Sequence, residues 1–288
     1  MNLALASLEQ GLIYAVLAMG IFISFRILGV PDMSVEGTFP MGALMTAFLL
    51  LNGVNPILAT LAALVVGVLP GIVAALLAIK LKIMSILAGI LTMTMLYSVN
   101  LRINGRPNVP FTKSNNIYGL IDVGNPYINR VIILIIIVVL LKLLLDWFFK
   151  TKMGYMLITT GDNETLVKTL GESADKYKII GLGMANGIVA LSGSLFAQSL
   201  KFADTQMGQG VLVIALASII IGETLFKERN IKGTLRAIVG AIIYKIIGAL
   251  ALEAGLNPND LKMINAVIVI VFIAYNNSYG DIKKMLTR

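Results

Sequence analysis

Residues 151–178 read TKMGYMLITTGDNETLVKTLGESADKYK, a polar stretch between two long apolar runs. We call this stretch the polar loop. The flanking runs, residues 131–149 and 179–200, are apolar and close to the length of about 20 residues that a helix needs to cross a bilayer. The polar loop is therefore predicted to lie outside the membrane and to join two membrane helices.

The polar loop carries signals for a short helix of its own. Asp162 is of a residue type that caps helix N-termini, and Gly171 is of the type that follows helix C-termini. The helix predicted between them, residues 163–170, would be roughly 12 Å long, far short of a membrane crossing. Ser173 is predicted to cap the next helix. A short helix held between two membrane helices suits the docking of another protein; the alternative is a solvated loop with ordinary caps.

Composition places the whole chain in the membrane class. Of its 288 residues, 58% are hydrophobic and 13% are charged, and the mean hydropathy is +0.89. Soluble domains carry about 25% charged residues. The absence of Cys and His removes disulfides, thiol catalysis, the usual zinc ligands and the commonest general base. We predict an all-α polytopic transmembrane helical bundle, a single domain over residues 1–288, with no metal or cofactor of its own.

The positions of Lys and Arg account for the net charge of +8. If the polar loop lies in the cytoplasm and the spans alternate from there, most of the 23 Lys and Arg residues fall on the cytoplasmic side, as the positive-inside rule requires. Nucleic acid is not needed to explain the charge. The N-terminus is then expected outside, and the basic tail at residues 281–288 in the cytoplasm.

We predict eight or nine membrane segments, some of them broken. Residues 11–51 indicate one span, an interruption at residues 29–38 and a short apolar continuation. Residues 206–223 indicate a half-crossing, because their apolar part is too short for a full one. The other predicted spans are residues 57–79, 83–101, 131–149, 179–200, 237–252 and 261–275, and residues 102–130 are predicted to form a cap opposite the polar loop.

Two polar stretches within apolar sequence are candidates for a solute path. Acidic groups at membrane depth are costly unless they are paired or wetted, so the interruption is one candidate. The alternative is an interfacial turn that caps the following helix. Span 83–101 is the other candidate, although its hydroxyls could simply bond to their own helix backbone. The candidate path residues are Asp32, Ser34, Glu36 and Thr38 at the interruption and Thr92, Thr94, Tyr97, Ser98 and Asn100 in the span.

Residues 154–193 resemble the cytoplasmic coupling loop of ABC-importer permeases of the branched-chain amino acid and ribose type. The Gly161-Asp162-Asn163 start, the Gly171 stop and the Gly-rich helix that follows carry the match. Three further stretches are similar to the subgroup described as tryptophan or tyrosine permeases: PDMSVEGT at 31–38, LAGILTMT at 87–94 and LYSVNLRI at 96–103, extended by GRPN at 105–108. The departures are Met33, Glu36, Thr38 and the pair Glu172-Ser173.

The resemblance implies a permease subunit of an ATP-driven importer in a bacterial cell membrane. Two permease copies, two ATP-binding cassette ATPase subunits and an extracytoplasmic substrate-binding protein would form the assembly, and the solute would be an amino acid, aromatic in this subgroup. ATP and Mg²⁺ would bind to the ATPase, since this chain has no GxxxxGK[ST] phosphate loop. The resemblance assigns ATPase coupling to Gly161, Asp162, Asn163, Glu164, Leu166, Val167, Leu170 and Gly171.

Two other classes of protein compete with the importer. A secondary transporter would use Asp32 and Glu36 as ligands of a coupling ion and would need no ATPase. The apolar spans contain few other acids, which counts against that class. An intramembrane enzyme would need a cluster of acids, His or Cys, and the sequence shows none.

Overall fold

The chain folds into a helical bundle with one small sheet. The computed structural model describes residues 2–112, 115–121, 124–226 and 231–255, together with 263, 266, 267 and 270. Within these residues, six helices are long and apolar enough to cross a membrane and two apolar helices are shorter. This confirms the predicted all-α polytopic fold and approximates the predicted number of segments. The predicted span 261–275 lies almost entirely outside the described residues, and so does the tail 281–288.

The elements follow one another in the order that the apolar runs predict. They are α1 (Asn2–Ile21, continued by a π-helix, Phe22–Ile27), α2 (Val35–Leu51), α3 (Pro56–Lys80), α4 (Ser85–Asn104), β1 (Asn108–Pro110), a 3₁₀ turn (Ile117–Gly119), α5 (Pro126–Phe148), α6 (Lys152–Asp162), α7 (Glu164–Thr169), α8 (Ala174–Leu200), β2 (Phe202–Asp204), α9 (Val211–Leu225) and α10 (Gly233–Glu253).

The starts of α3 and α5 show how local sequence sets helix bounds. Each helix begins at a proline, whose missing N–H is not needed in the first turn. The preceding asparagine caps each one: Asn55 Oδ1 accepts from the backbone N–H of the second helical residue at 2.9 Å, and Asn125 Oδ1 does the same at 3.0 Å. As a result, α5 starts at Pro126, inside the stretch predicted as cap.

Helices α1 and α8 form the centre of the bundle. In their most apolar windows, 83% and 78% of the residues are buried, against 28–33% in α3, α4, α5 and α10. Helix α8 packs against α1, α2 and α3. Its approach to α3 requires glycine, because a Cβ on Gly71 would overlap the carbonyl of Leu182. The outer helices expose large apolar side chains, as lipid-facing helices do; on α3 these include Leu58, Leu61, Val65 and Leu69.

Helices α2 and α9 are too short to cross a bilayer. Their 17 and 15 residues correspond to about 25 and 22 Å, against a hydrocarbon core of about 30 Å. Both start inside the bundle. Ser34, just before α2, contacts Asn186, which lies near the middle of the 27-residue helix α8. The interruption predicted at residues 29–38 is therefore present but shorter: it covers residues 28–34, because residues 35–38 already form the first turn of α2. The predicted half-crossing corresponds to α9.

The end of the bundle opposite the polar loop carries the small sheet. We call this the cap end, and the other the loop end. Strands β1 and β2 pair antiparallel, with Val109 opposite Ala203. After β2, residues 205–210 run inward to the start of α9, and we call them the re-entrant segment. This segment brings polar backbone and side chains to the depth at which α2 begins.

Candidate functional site

A buried hydrogen-bond network holds the interruption to α8. The side chain of Asn186 lies at its centre: its Nδ2 donates to Asp32 Oδ2 at 2.7 Å and to the Leu182 carbonyl at 3.1 Å. Its Oδ1 accepts from Ser34 Oγ at 3.1 Å and lies 2.7 Å from Thr38 Oγ1. The side chains of Asp32, Ser34, Thr38 and Asn186 are all buried. Three of the predicted path residues therefore lie in a contact between the interruption, α2 and α8.

The sequence of the interruption shapes this network locally. Asp32 Oδ1 accepts from the backbone N–H of Ser34 at 2.9 Å, which turns the chain into the first turn of α2. Helix α4 approaches the turn closely, and only glycine fits there: a Cβ on Gly89 would lie 2.6 Å from the backbone nitrogen of Met33. The turn is thus enclosed by α4 on one side and α8 on the other.

Glu36 lies on a different face of α2 and opens onto a cavity of about 410 Å³. Helices α2 and α4 form two of its walls, and the re-entrant segment forms the third. The lining residues are Glu36 and Gly37 from α2, Met93, Thr94, Tyr97, Ser98 and Asn100 from α4, and Thr205, Gln206 and Gln209 from the re-entrant segment. The structure thus brings together five of the nine predicted path residues: Glu36, Thr94, Tyr97, Ser98 and Asn100.

The Glu36 carboxylate joins the N-termini of two helices. It belongs to the first turn of α2, and its Oε1 accepts from the backbone N–H of Gly210, the N-cap of α9, at 3.0 Å. The backbone carbonyl of Glu36 has no helical donor, because Pro40 lacks an N–H. Gly208 packs against this carbonyl so closely that a Cβ would overlap it. Negative charge is favoured at helix N-termini, so the carboxylate suits this position.

The polar residues of α4 divide between packing and lining. Thr92 is buried and donates to the carbonyl four residues earlier at 2.9 Å, and it does not line the cavity. Thr94 makes the same backbone bond at 2.9 Å and does line the cavity. Asn100 donates from Nδ2 to the Gly37 carbonyl at 3.0 Å, and its buried Oδ1 has no hydrogen-bond partner among the described residues. A hydroxyl group of α4 can therefore bond to its own helix backbone and line the cavity at the same time, as that of Thr94 does.

The polar loop forms two short helices where the sequence predicted one. Thr151 caps α6, and Asn163 caps α7 by accepting the N–H of Leu166 at 3.0 Å. The prediction of Asp162 as the N-cap is wrong, since Asp162 is the last residue of α6 and the backbone becomes extended only at Asn163. Gly171 follows α7 with φ of +77°, the left-handed conformation that favours glycine. Gly171 therefore ends the helix as predicted.

Helix α8 starts where the sequence predicts, but the predicted capping hydrogen bond is not formed. Ser173 occupies the predicted N-cap position of α8, but its side chain makes no capping hydrogen bond. Glu172, just before it, pairs with Lys152 at 3.2 Å and accepts from the Tyr177 hydroxyl at 3.0 Å. These contacts hold the pKa of Glu172 below its usual range, with the Lys152 hydrogen bond as the largest cause. The side chain of Glu172, and not that of Ser173, therefore links α6 to the start of α8.

Helix α7 buries one apolar residue and exposes two. Val167 is fully buried in a cluster with Met156, Ala174 and Tyr177. Leu166 and Leu170 are 46% and 61% exposed. Because these leucines lie outside the predicted spans, we expect them to form an apolar surface that lipid does not cover.

Glu164 fastens α7 to α8. Its Oε1 lies 2.8 Å from Lys168 Nζ, and its Oε2 lies 2.5 Å from Lys178 Nζ. The hydrogen bonds from Lys168 and Lys178 lower the pKa of Glu164 to about 2. The charged carboxylate thus holds α7 against the beginning of α8.

Helix α6 connects the polar loop to the interruption. Gly161, near the end of α6, packs on the π-helix that ends α1, and a Cβ on Gly161 would overlap the carbonyl of Ile27. Gly161 therefore contacts the end of α1 on one side, although it is exposed like Asp162 and Asn163. Because Gly161 has no side chain, α6 contacts the backbone of Ile27 directly. A displacement of α6 would therefore move the chain just before the interruption.

A family model described as "Branched-chain amino acid transport system / permease component" matches residues 3–274. The chain belongs to this family. It is 44% identical to a tyrosine transport system permease protein from Clostridioides difficile (strain R20291), over 96% of this chain and 92% of the relative. It is 33% identical to the uncharacterized protein RP368 of Rickettsia prowazekii, over 95% and 98% of the two chains. It is 25% identical to the ribose import permease protein RbsC of Escherichia coli K12, over 94% and 84%.

The family settles the class of the protein. Its model describes the permease component of a transport system, and two of the similar proteins are named as permeases, one for tyrosine transport and one for ribose import. Together with the six apolar helices, this makes the chain a multi-pass membrane permease. The predicted resemblance to importer permeases is confirmed, including the likeness to a permease named for tyrosine.

Proposed function

We propose that this permease is the membrane subunit of an ATP-driven importer of amino acids in a bacterial cell membrane. A substrate-binding protein would deliver the solute outside, and a separate ATP-binding cassette ATPase would bind ATP and Mg²⁺ in the cytoplasm. Aromatic amino acids are the first class to test, since a relative that is 44% identical is named for tyrosine transport. Residue roles in this proposal rest on the contacts described above.

The observation that carries the proposal is the form of the polar loop. Helix α7 presents Leu166 and Leu170 to solvent and is fixed to α8 by Glu164. Helix α6 contacts Ile27 through Gly161. A subunit that binds α7 can therefore displace both α8, which packs on the interruption, and the end of α1, which leads into it.

The cavity supports two permease copies around a shared path. One side of the cavity is left open, where Thr94, Tyr97 and Ser98 are exposed on α4. A second copy against this face would close the path. In the proposed orientation the cap end faces outward to the binding protein, and the polar loop and C-terminus lie in the cytoplasm.

Charge reversal on α7 tests the coupling role. In the double variant Glu164→Lys with Leu166→Asp, we expect the chain to insert and the purified complex to lose most ATP-driven uptake, or to lose the ATPase subunit altogether. Leu120→Asp is the matched control, because Leu120 is a leucine of similar exposure (53%) in the cap region. Unchanged uptake per ATP hydrolysed in the double variant would remove the docking role from α7.

Recovery of partners from the native membrane tests the assembly. Tagged chain, purified in mild detergent with a non-hydrolysable ATP analogue, should bring an ATP-binding cassette subunit. Recovery of the chain alone would favour a secondary transporter. That alternative needs Asp32 and Glu36 at one ion site, whereas Asp32 bonds to Asn186 and Glu36 lines the cavity.

A further inference from the structure

The cavity has one acidic group and no basic one. Among its lining residues in the described part of the chain, Glu36 is the only carboxylate, and no Lys or Arg is present. No Lys or Arg nitrogen of the described residues lies within 4.0 Å of the Glu36 carboxylate. A half-buried carboxylate at membrane depth without a cation is costly unless something else compensates it.

The hydrogen bonds of Glu36 leave capacity for a ligand. The carboxylate takes the backbone N–H of Gly210 at Oε1 and a second backbone hydrogen bond from Leu212, but an ionised carboxylate offers about four acceptor positions on two oxygens, so about two remain. A second acceptor lies in the α4 wall of the same cavity: Asn100, which is 1% exposed, keeps its Oδ1 unpaired among the described residues. Buried acceptors of this kind normally have a donor, because leaving one unsatisfied costs about 1–3 kcal/mol.

We propose that this cavity recognises a primary ammonium group, with Glu36 as its counter-ion and Asn100 Oδ1 as a further acceptor. The inference deepens the proposed function, and it rests on that function only in taking the cavity for the substrate path. The charge, the unpaired acceptor and the absence of a basic lining residue all favour a cationic head over an anionic one.

The other lining groups suit the rest of an amino acid. Hydroxyl and amide donors of Ser98, Gln206 and Gln209 can hold a carboxylate, and the ring of Tyr97 offers an aromatic face. A volume of about 410 Å³ lies in the range of about 300–1,000 Å³ that small-molecule sites occupy. The ligand class is therefore small organic ammonium compounds, zwitterionic amino acids included, and not carboxylic acids without an amine.

One variant can separate a purely structural role of Glu36 from the proposed role as a counter-ion. If Glu36 only caps α9, an amide oxygen can accept the Gly210 N–H equally well. Glu36→Gln keeps that acceptor and removes the charge. The variant therefore changes recognition of a cation without removing the contact between α2 and α9.

The chain contains no cysteine, so one introduced thiol reports on the cavity alone. Ser98→Cys in membrane fragments is reacted with a cationic aminoethyl and an anionic sulfonatoethyl methanethiosulfonate. We expect the cationic reagent to be favoured, and Glu36→Gln to reduce the cation-to-anion rate ratio by about tenfold, the effect of one unit charge several ångström away. Leu120→Cys, on the exposed cap, corrects for the reactivity of the reagents and should not respond to Glu36→Gln.

Protection from labelling then defines the ligand. Phenethylamine and L-tyrosine should slow labelling of Ser98→Cys, 3-phenylpropionate should not, and Glu36→Gln should abolish the protection. A ratio that Glu36→Gln leaves unchanged, or equal protection by 3-phenylpropionate, would overturn the proposal. Because labelling needs neither ATP nor a partner, charge-selective labelling without ATP-driven uptake would leave the ammonium site standing and refute the importer. ATP-driven uptake without charge-selective labelling would support the importer and refute the ammonium site.

Discussion

Replacing Asn186 with alanine should destabilise the bundle more than any single hydrogen bond would explain. The change removes the contacts of the Asn186 side chain with Asp32, Ser34 and Thr38, all of them buried. Side-chain hydrogen bonds between membrane helices average about 0.6 kcal/mol, so three contribute about 2 kcal/mol. The Asp32 carboxylate loses its side-chain donor, which adds about 1–3 kcal/mol. The expected loss is about 3–5 kcal/mol.

The assay is unfolding of the purified chain in mixed micelles with increasing SDS, followed by far-UV circular dichroism. Asn104→Ala is the control, because it removes one hydrogen bond between helices, from Asn104 Nδ2 to the Leu44 carbonyl at 2.9 Å. Its expected cost is about 1 kcal/mol. A loss for Asn186→Ala no larger than that of the control would contradict the network.

A double-mutant cycle isolates the central pair of the network. Asp32→Ala and Asn186→Ala should be coupled by about 1–2 kcal/mol, because each variant removes the same hydrogen bond. If the two losses add within about 0.3 kcal/mol, the 2.7 Å contact between Asn186 Nδ2 and Asp32 Oδ2 does not stabilise the fold.

Three further outcomes follow from the packing and charges. Gly71→Val should cost about 3 kcal/mol in the same assay, because its side chain meets a backbone carbonyl, whereas Gly248→Val should be nearly neutral, because among the described residues no atom outside its own helix backbone lies within 4 Å of a Cβ there. Glu164→Gln should flatten the pH dependence of thermal stability below about pH 5: the folded-state pKa of about 2 lies below the ordinary 4.5, so the carboxylate stabilises fully above pH 4.5 and progressively less as pH falls towards 2. Gly161→Val should separate α6 from Ile27 and lower uptake per ATP, while the ATPase subunit still co-purifies.

Each of these three has a result that would count against it. Equal losses at Gly71 and Gly248 would mean that the close approach of α3 and α8 is not limiting. A Glu164→Gln profile identical to that of the native chain would mean that the lysine contacts persist without the charge. Normal uptake per ATP in Gly161→Val would exclude α6 from coupling.

The spans could be predicted from the sequence because apolar length alone determines them. Residues 57–79 lie within α3, which extends one residue further at each end, whereas α4 begins two residues later and ends three residues later than the predicted span 83–101. Helix α6 was missed because its 11 residues mix apolar and polar types and adjoin a span, so they read as a connection. The start of α5 was placed too late, although Asn125-Pro126 is itself a start signal.

The candidate site was less accessible to sequence reasoning, because its partners are distant in the chain. Asp32 and Glu36 looked equivalent, and what separates them is a contact with Asn186, 154 positions from Asp32, and one with Gly210. Gln206 and Gln209 fell within the predicted half-crossing, and the polar connection that carries them was not singled out as part of the path. A glycine-flanked residue, Gln209, just before a helix too short to cross, was the signal that this connection enters the membrane.

The pairing of β1 with β2 links the cap directly to the re-entrant segment, which forms one wall of the cavity. The Phe111 N–H donates to the Lys201 carbonyl and the Thr205 N–H to the Pro107 carbonyl, both at 3.0 Å, so both ends of the ladder are closed. Thr205 is also the first residue of the re-entrant segment and lines the cavity. In the proposed assembly, a substrate-binding protein that docks on the cap would therefore also displace residues 205–210 beside Glu36. Its arrival would change the shape of the cavity before any ATP is bound.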